Sequence, residues 1–177
     1  MKATGVVRRI DELGRIVIPK EIRKNLKIRD GESIEIFTDN SNQIILKKYS
    51  LSEDYTLIIK SYLESIYGTI KKDILVTDRD KFISGIGALK KEYEHKEISD
   101  VLLKLVTHRE TRISNDVSNI ELVNNKNFTG NYLIHPIISS GECIGLFIVL
   151  SENEKIGREE EQVVQIAANF LGKYIEN

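Results

Sequence analysis

The first 48 residues constrain this chain more tightly than any other stretch. Two short β-branched segments, Val6-Val7 to Ile10 and Arg15-Ile-Val-Ile18, flank Asp11-Glu-Leu-Gly14. Such segments read as strands, and the intervening residues as a turn in which Gly14 is free to take a positive φ. Pro19 then stops the second strand. Its fixed φ suits the opening of a helix, where its missing N–H would have no partner anyway. Lys20 to Leu26 is the expected helix, with Ile22 and Leu26 four apart on one face. Arg29-Asp-Gly31 is a turn, Ser33 to Thr38 a half-buried strand, Asp39 to Asn42 a tight turn, and Gln43 to Lys48 a closing strand. The order is β-β-α-β-β. A unit of this size hides only about 60% of the surface its unfolded chain exposes. It has no disulfide to help, because the single cysteine of the chain is Cys143. It is nevertheless rich in Ile, Val and Leu. A second copy, joined by exchange of strands, is the natural way to cover them.

The remaining residues follow a different pattern. Tyr55, Ile59, Tyr62, Ile66 and Thr69 step by helical intervals, and Ile58, Leu63 and Ile70 broaden the stripe. Ser52 is the expected N-cap. Strands are expected at Ile74–Val76 and Lys81–Ser84, with Thr77-Asp-Arg-Asp80 as the turn between them. Gly85 and Gly87 break the pattern before a short helix at Ala88–Tyr93. Ser99 caps a second helix to about Thr107. Thr111–Ser114 and Ser118–Val123 read as strands, and 124–131 as an Asn-rich loop. A hairpin follows, Tyr132–Ile138 and Cys143–Leu150 about the turn Ser139–Glu142, and then a final helix, Arg158–Ile175. This order gives an antiparallel sheet with flanking helices, an α+β module. The last helix has an apolar arc wider than one sheet contact needs. Together with the helix at 53–70, it is expected to form an interface with another subunit. The chain thus divides into residues 1–50, a linker at 51–57, and a second domain at 58–177.

Charge separates the same two regions. The whole chain carries a formal −1, which by itself argues against a nucleic-acid partner. Residues 1–48 hold 11 Lys/Arg and 7 Asp/Glu, a net of +4; residues 49–177 hold 15 and 20, a net of −5. Arg8, Arg9, Arg15, Arg23 and Lys24 lie on the hairpin and the short helix. Guanidinium groups bind phosphate as forks and also reach base edges. The alternative is a solvated charged face with local pairs offered by Asp11, Glu12 and Glu21.

The run from Lys2 to Leu26, above all Asp11-Glu-Leu-Gly-Arg-Ile-Val-Ile-Pro19, resembles the AbrB-type transition-state regulator domain, as does the ending Ile44-Ile-Leu-Lys-Lys-Tyr49. That resemblance implies a dimeric swapped-hairpin barrel, with DNA contacts from Arg8, Arg15 and Arg23 and support from Arg9 and Lys24. Lysine keeps the charge at position 24 but lacks the fork, so Lys24 is the phosphate contact rather than a base reader. The full layout resembles AbrB-family sporulation regulators that carry a C-terminal GAF-like domain. Supporting fragments are Lys47-Lys-Tyr-Ser50, Asp78-Arg-Asp80, Lys90-Lys-Glu-Tyr93 and Ile120-Glu-Leu-Val-Asn124. The resemblance implies a dimer of dimers joined through the GAF-like domains. It also implies a cytoplasmic, nucleoid-associated regulator of a spore-forming bacterium, active in the forespore. GAF-like domains often hold a small molecule, and the region 84–131 would wall that pocket.

An enzyme is not expected. His95, His108 and His135 lack metal-ligand spacing with one another or with Cys143. Cys143 reads as a small buried residue, and Asp78 and Asp80 as turn residues. No metal or cofactor is expected, and no apolar run approaches the length of a membrane-spanning helix. The expected function is a regulator of sporulation genes that binds double-stranded DNA. The alternative is a small-molecule sensor or an antitoxin-like, protein-binding module.

Overall fold

The computed structural model describes residues 6–48 and 55–176. The chain separates into two compact units, Met1–Tyr49 and Ser50–Asn177. The N-cap expected at Ser52 lies outside the described residues.

In the first unit, Pro19 has φ −56° and ψ 146° and leads into helix α1, Lys20–Asn25. Strands β1, Ile34–Thr38, and β2, Ile44–Lys48, pair antiparallel with Ile36 opposite Leu46. Asp39 organises the turn between them, its Oδ1 accepting from the amides of Ser41 and Gln43 at 2.9 Å each. Residues 6–10 and 15–18 were expected as strands, yet they carry no strand ladder in the single chain. Their turn is formed all the same. The amide of Asp11 donates to the Arg15 carbonyl and that of Gly14 to the Asp11 carbonyl, both at 3.0 Å. Gly14 has φ 75°, the left-handed value that glycine adopts without strain. A ladder needs a neighbouring strand on each segment, and the single chain provides none. Pro19 is the one buried residue among those described in this unit. Val7, Leu13 and Val17 are 90%, 75% and 73% exposed.

The second unit is built differently. Helix α2, Thr56–Ile70, precedes strands β3, Asp73–Thr77, and β4, Phe82–Ile86. Two short helices follow, α3, Lys90–Tyr93, and α4, Asp100–His108. Then come β5, Arg112–Val123, β6, Lys126–Ser139, β7, Glu142–Ser151, and α5, Arg158–Glu176. The sheet runs β4-β3-β7-β6-β5, antiparallel throughout. β7 is central and buried on both faces, which explains its unbroken apolar run from Cys143 to Leu150. Leu146, Ile148 and Leu150 join Leu102, Leu105, Tyr93 and Phe82 in one core beneath α3 and α4. Each such side chain contributes about 1.5–3 kcal/mol on full burial.

Two departures from the sequence reading have clear causes. The Asn-rich stretch at 124–131 is not a loop. Only Asn124 and Asn125 turn, with Asn125 at φ 63°, and β6 starts at Lys126. Its polar residues pair along β5 at the sheet edge, where side chains reach water on one side and apolar alternation is not needed. Gly85 does not break a strand either. It lies inside β4, where a Cβ would meet the Leu75 side chain and the Ile74 carbonyl. Close backbone approach rather than a bend is its use there.

Candidate nucleic-acid interface

The basic residues of the first unit fall into two groups. Some are tied into local structure. Arg29 pairs with Glu32 at 3.2 Å, Glu32 also meets Lys48 at 3.6 Å, and Lys48 Nζ donates to the Lys27 carbonyl at 3.0 Å. Lys47 stands 5.3 Å over the Phe37 ring. These contacts close the end of the β1–β2 hairpin and do not leave the cations free for a ligand.

The other group lies about the first turn and on α1, and all but Arg23 are exposed. Arg8 and Arg9, on the extended segment before the turn, and Lys24, on α1, are exposed. Arg15 begins the extended segment after the turn, its side chain 72% exposed, with Nε donating to Asp11 Oδ2 at 2.7 Å. Asp11 Oδ1 accepts the Leu13 and Arg15 amides at 3.0 and 2.8 Å. These bonds, led by the backbone amide of Arg15 and then its guanidinium, hold the Asp11 carboxyl below its ordinary pKa. Arg23 is half-buried, and its Nη1 donates to Asp30 Oδ1 at 2.5 Å. Asp11 was foreseen as a pairing partner. Asp30 was not, because a separation of seven residues across a helix end leaves no periodic signal. Beside these cations lies an apolar groove of about 430 Å³, lined by Val6, Val7, Ile16, Val17, Pro19 and Leu46 among others, with Arg8 at its wall.

Among the described residues, no group of three or more His, Cys, Asp and Glu could hold a metal ion. Cys143 is buried, its Sγ donating to the Gly145 carbonyl at 3.3 Å, and burial pushes the thiol pKa up. Asp78 forms the expected turn, its Oδ1 accepting the amides of Asp80 and Lys81 at 2.7 Å each, while burial raises its pKa. From the expected wall at 84–131, Tyr93, Leu102, Leu105, Ile120, Leu122 and Phe128 pack into the core beneath α3 and α4, while Ile113 and Val117 stay exposed. No described helix is long and apolar enough to cross a membrane.

Residues 56–176 match the family model described as stage V sporulation protein T C-terminal, transcription factor. Stage V sporulation protein T of Bacillus subtilis (strain 168) is 40% identical over 177 residues, covering 99% of each chain. The chain belongs to the stage V sporulation protein T family. Residues 7–54 match a second model, described as antidote-toxin recognition MazE, bacterial antitoxin. The transition state regulatory protein AbrB of the same organism is 55% identical over 49 residues, 28% of this chain and 50% of that one. The N-terminal unit is therefore of the AbrB type.

Solved structures identify the fold of the second unit. A type II free methionine-R-sulfoxide reductase from Thermoplasma acidophilum aligns with TM-score 0.56 at 14% identity, over 70% of this chain and 94% of that one. The PixJ GAF domain of Thermosynechococcus elongatus aligns with TM-score 0.55 at 16% identity, over 72% and 89%. At such identities the likeness is one of fold alone. The second unit is GAF-like, an antiparallel sheet with helices.

Proposed function

We propose that this chain is a transcriptional regulator of sporulation genes that binds double-stranded DNA through its N-terminal unit. Family membership supports the regulatory role. One observation carries the rest: an N-terminal unit in which Pro19 is the one buried residue among those described also carries Arg8, Arg9 and Arg15 about its first turn and Arg23 and Lys24 on α1. The exposed Val7, Val17 and groove residues call for a second copy. Strand exchange would supply the ladders that residues 6–10 and 15–18 lack and would double the cationic surface about a two-fold axis. Arg8, Arg15 and Arg23 then serve as forks for phosphates and base edges, with Arg9 and Lys24 as phosphate contacts.

The GAF-like unit, residues 58–177 beyond a linker at 51–57, joins two such dimers. Its exposed aromatic surface supports this. Tyr62 and Phe170 have ring centroids 4.6 Å apart, and Phe170 and Tyr174 5.9 Å, along the seam of α2 and α5. Ile166, at 65% exposure, extends the same region. A small-molecule signal acting on this unit, and a cytoplasmic, nucleoid-associated location in the forespore, complete the reading. The match to the antitoxin model favours a protein partner instead, but it covers only the part that AbrB-type proteins share.

Titrating labelled duplex DNA with the full-length protein at several salt concentrations tests the proposal. The logarithm of affinity should fall by about 0.9 per phosphate contact for each tenfold rise in salt. A salt-independent affinity, or a monomer by light scattering at micromolar concentration, would overturn it.

A further inference from the structure

Asp11 holds Arg15 by both backbone and guanidinium, as Glu32 holds Arg29, but Glu32 is shared with Lys48 and binds Arg29 through Nη1, whereas Asp11 binds Arg15 through Nε. Most exposed pairs hold two flexible side chains by a single contact, and so contribute little. Asp30, whose side chain is 94% exposed, holds Arg23 in this loose way. Asp11 instead uses both oxygens. Oδ1 accepts the Leu13 and Arg15 amides, and Oδ2 accepts Nε of the same Arg15. The carboxylate is thereby fixed to the turn backbone, and the guanidinium is fixed to the carboxylate. Binding through Nε leaves the opposite edge, Nη1 and Nη2, facing outward on a side chain that is mostly exposed. That edge is the fork that pairs with the O6 and N7 of guanine or with two phosphate oxygens. Arg8 and Arg9 stand on the neighbouring segment with no such partner among the described residues.

We propose that Asp11 is a positioning residue for sequence recognition, aiming the Arg15 fork before DNA arrives. The inference rests on the DNA-binding reading above. Two effects follow from the geometry. Orienting the fork in advance removes ordering that would otherwise oppose the complex. A fixed carboxylate at the tip of the hairpin also repels phosphates, so it lowers affinity for every duplex alike. The two effects act oppositely on total affinity and together on selectivity. Asp11 therefore sets the tethered Arg15 apart from Arg8 and Arg9, which no such carboxylate among the described residues orients.

The substitution Asp11→Asn isolates this role. The asparagine Oδ1 still accepts the two amides, so the turn is kept. Its Nδ2 is a donor facing the donor Nε, so the guanidinium is released. Full-length protein is titrated with two probes: a duplex enriched by in vitro selection with the unaltered protein, and a shuffled duplex of the same composition. Affinity for the shuffled duplex should rise about two- to threefold, as loss of one nearby anion implies. Affinity for the selected duplex should fall, so that their ratio drops about tenfold, within the range of one bidentate base contact. Equal gains on both duplexes would mean simple charge removal and would overturn the proposal. So would equal losses accompanied by a change in oligomeric state, which would mark Asp11 as a purely structural turn residue. A DNA-free measurement adds a second check. Nitrogen relaxation of the Arg15 Nε–H should show a rigid group in the parent and a mobile one in the variant; a mobile group in the parent overturns the proposal. Arg15→Ala distinguishes the underlying reading. If it leaves both duplexes bound as before, the assignment of DNA contacts fails at Arg15 itself.

Discussion

The two units of this chain treat apolar side chains in opposite ways. In residues 55–176, an antiparallel sheet carries helices on both faces and its central strand is buried from Cys143 to Leu150. In residues 6–48, a comparable supply of Val, Ile and Leu stays in water, and Pro19 alone is buried. The contrast shows that a good supply of apolar residues does not make a core unless the chain can wrap them. A five-stranded sheet with four helices can do so, whereas one β-hairpin, one short helix and an unpaired arm cannot.

The sharpest test of the buried side is Phe147, wholly inaccessible on β7. Phe147→Ala should cost about 3–5 kcal/mol in chemical denaturation of the full chain. A loss below 1 kcal/mol would break the picture of a dense second unit. On the exposed side, the informative residue is Val17. As a single chain shows it, Val17→Ala should fall within about 0.5 kcal/mol of the parent, as for other surface changes. Under strand exchange it should cost about 1.5–3 kcal/mol and make the melting of the first unit more dependent on protein concentration. We expect the second result, read by calorimetry at two concentrations. Third, Arg15→Ala should weaken operator binding about tenfold, as loss of one fork implies, while light scattering reports an unchanged oligomer.

The smallest effect concerns the buried Lys72, which pairs with Glu160 at 2.9 Å and Glu154 at 3.2 Å. Burial opposes the charge on Lys72, but the two carboxylates outweigh it and raise its pKa. The hydrogen bond from Lys72 lowers the pKa of Glu160. A lowered carboxyl pKa stabilises the fold fully above the ordinary glutamate range, and this is lost as pH falls through the lowered value. The raised lysine pKa acts at the other end, its contribution fading as pH rises past the ordinary lysine range. Glu160→Gln should therefore flatten the acid side of the stability profile, by no more than about 1 kcal/mol because both acids reach solvent. An unchanged profile would show that the pair is fully screened.

Local chemistry was readable wherever one side chain acts on its own neighbourhood. Ser99 caps α4 as expected, its Oγ accepting the Leu102 amide at 3.1 Å. Asp78 turns the chain between β3 and β4, and the two long helices begin and end close to their periodic stretches. The AbrB-type segment was legible because so many fixed residues fall in one run. Contacts between distant residues were not legible. Gly172 looks like any helical glycine, yet a Cβ there would collide with the Ile138 carbonyl, so it sets how closely α5 lies on β6. Asn115 was an unremarked polar residue between two expected strands. Its side chain accepts from the Ile156 amide at 2.8 Å and donates to the Ile156 carbonyl at 2.9 Å, fastening the segment before α5. Among the candidate DNA contacts, the charges were evident from the sequence. Which of them are tethered depends on turn geometry that composition does not encode.

The burial of Cys143 also makes the chain a convenient spectroscopic scaffold. The sole native thiol is shielded by the sheet, and its raised pKa keeps it protonated and slow to react near neutral pH. A cysteine introduced at an exposed site, such as Ser41 in the β1–β2 turn or Lys173 on α5, would take a thiol-directed probe while Cys143 stays silent. Pairs of such probes turn the chain into its own ruler, able to follow the two units as DNA is added without any substitution in the core.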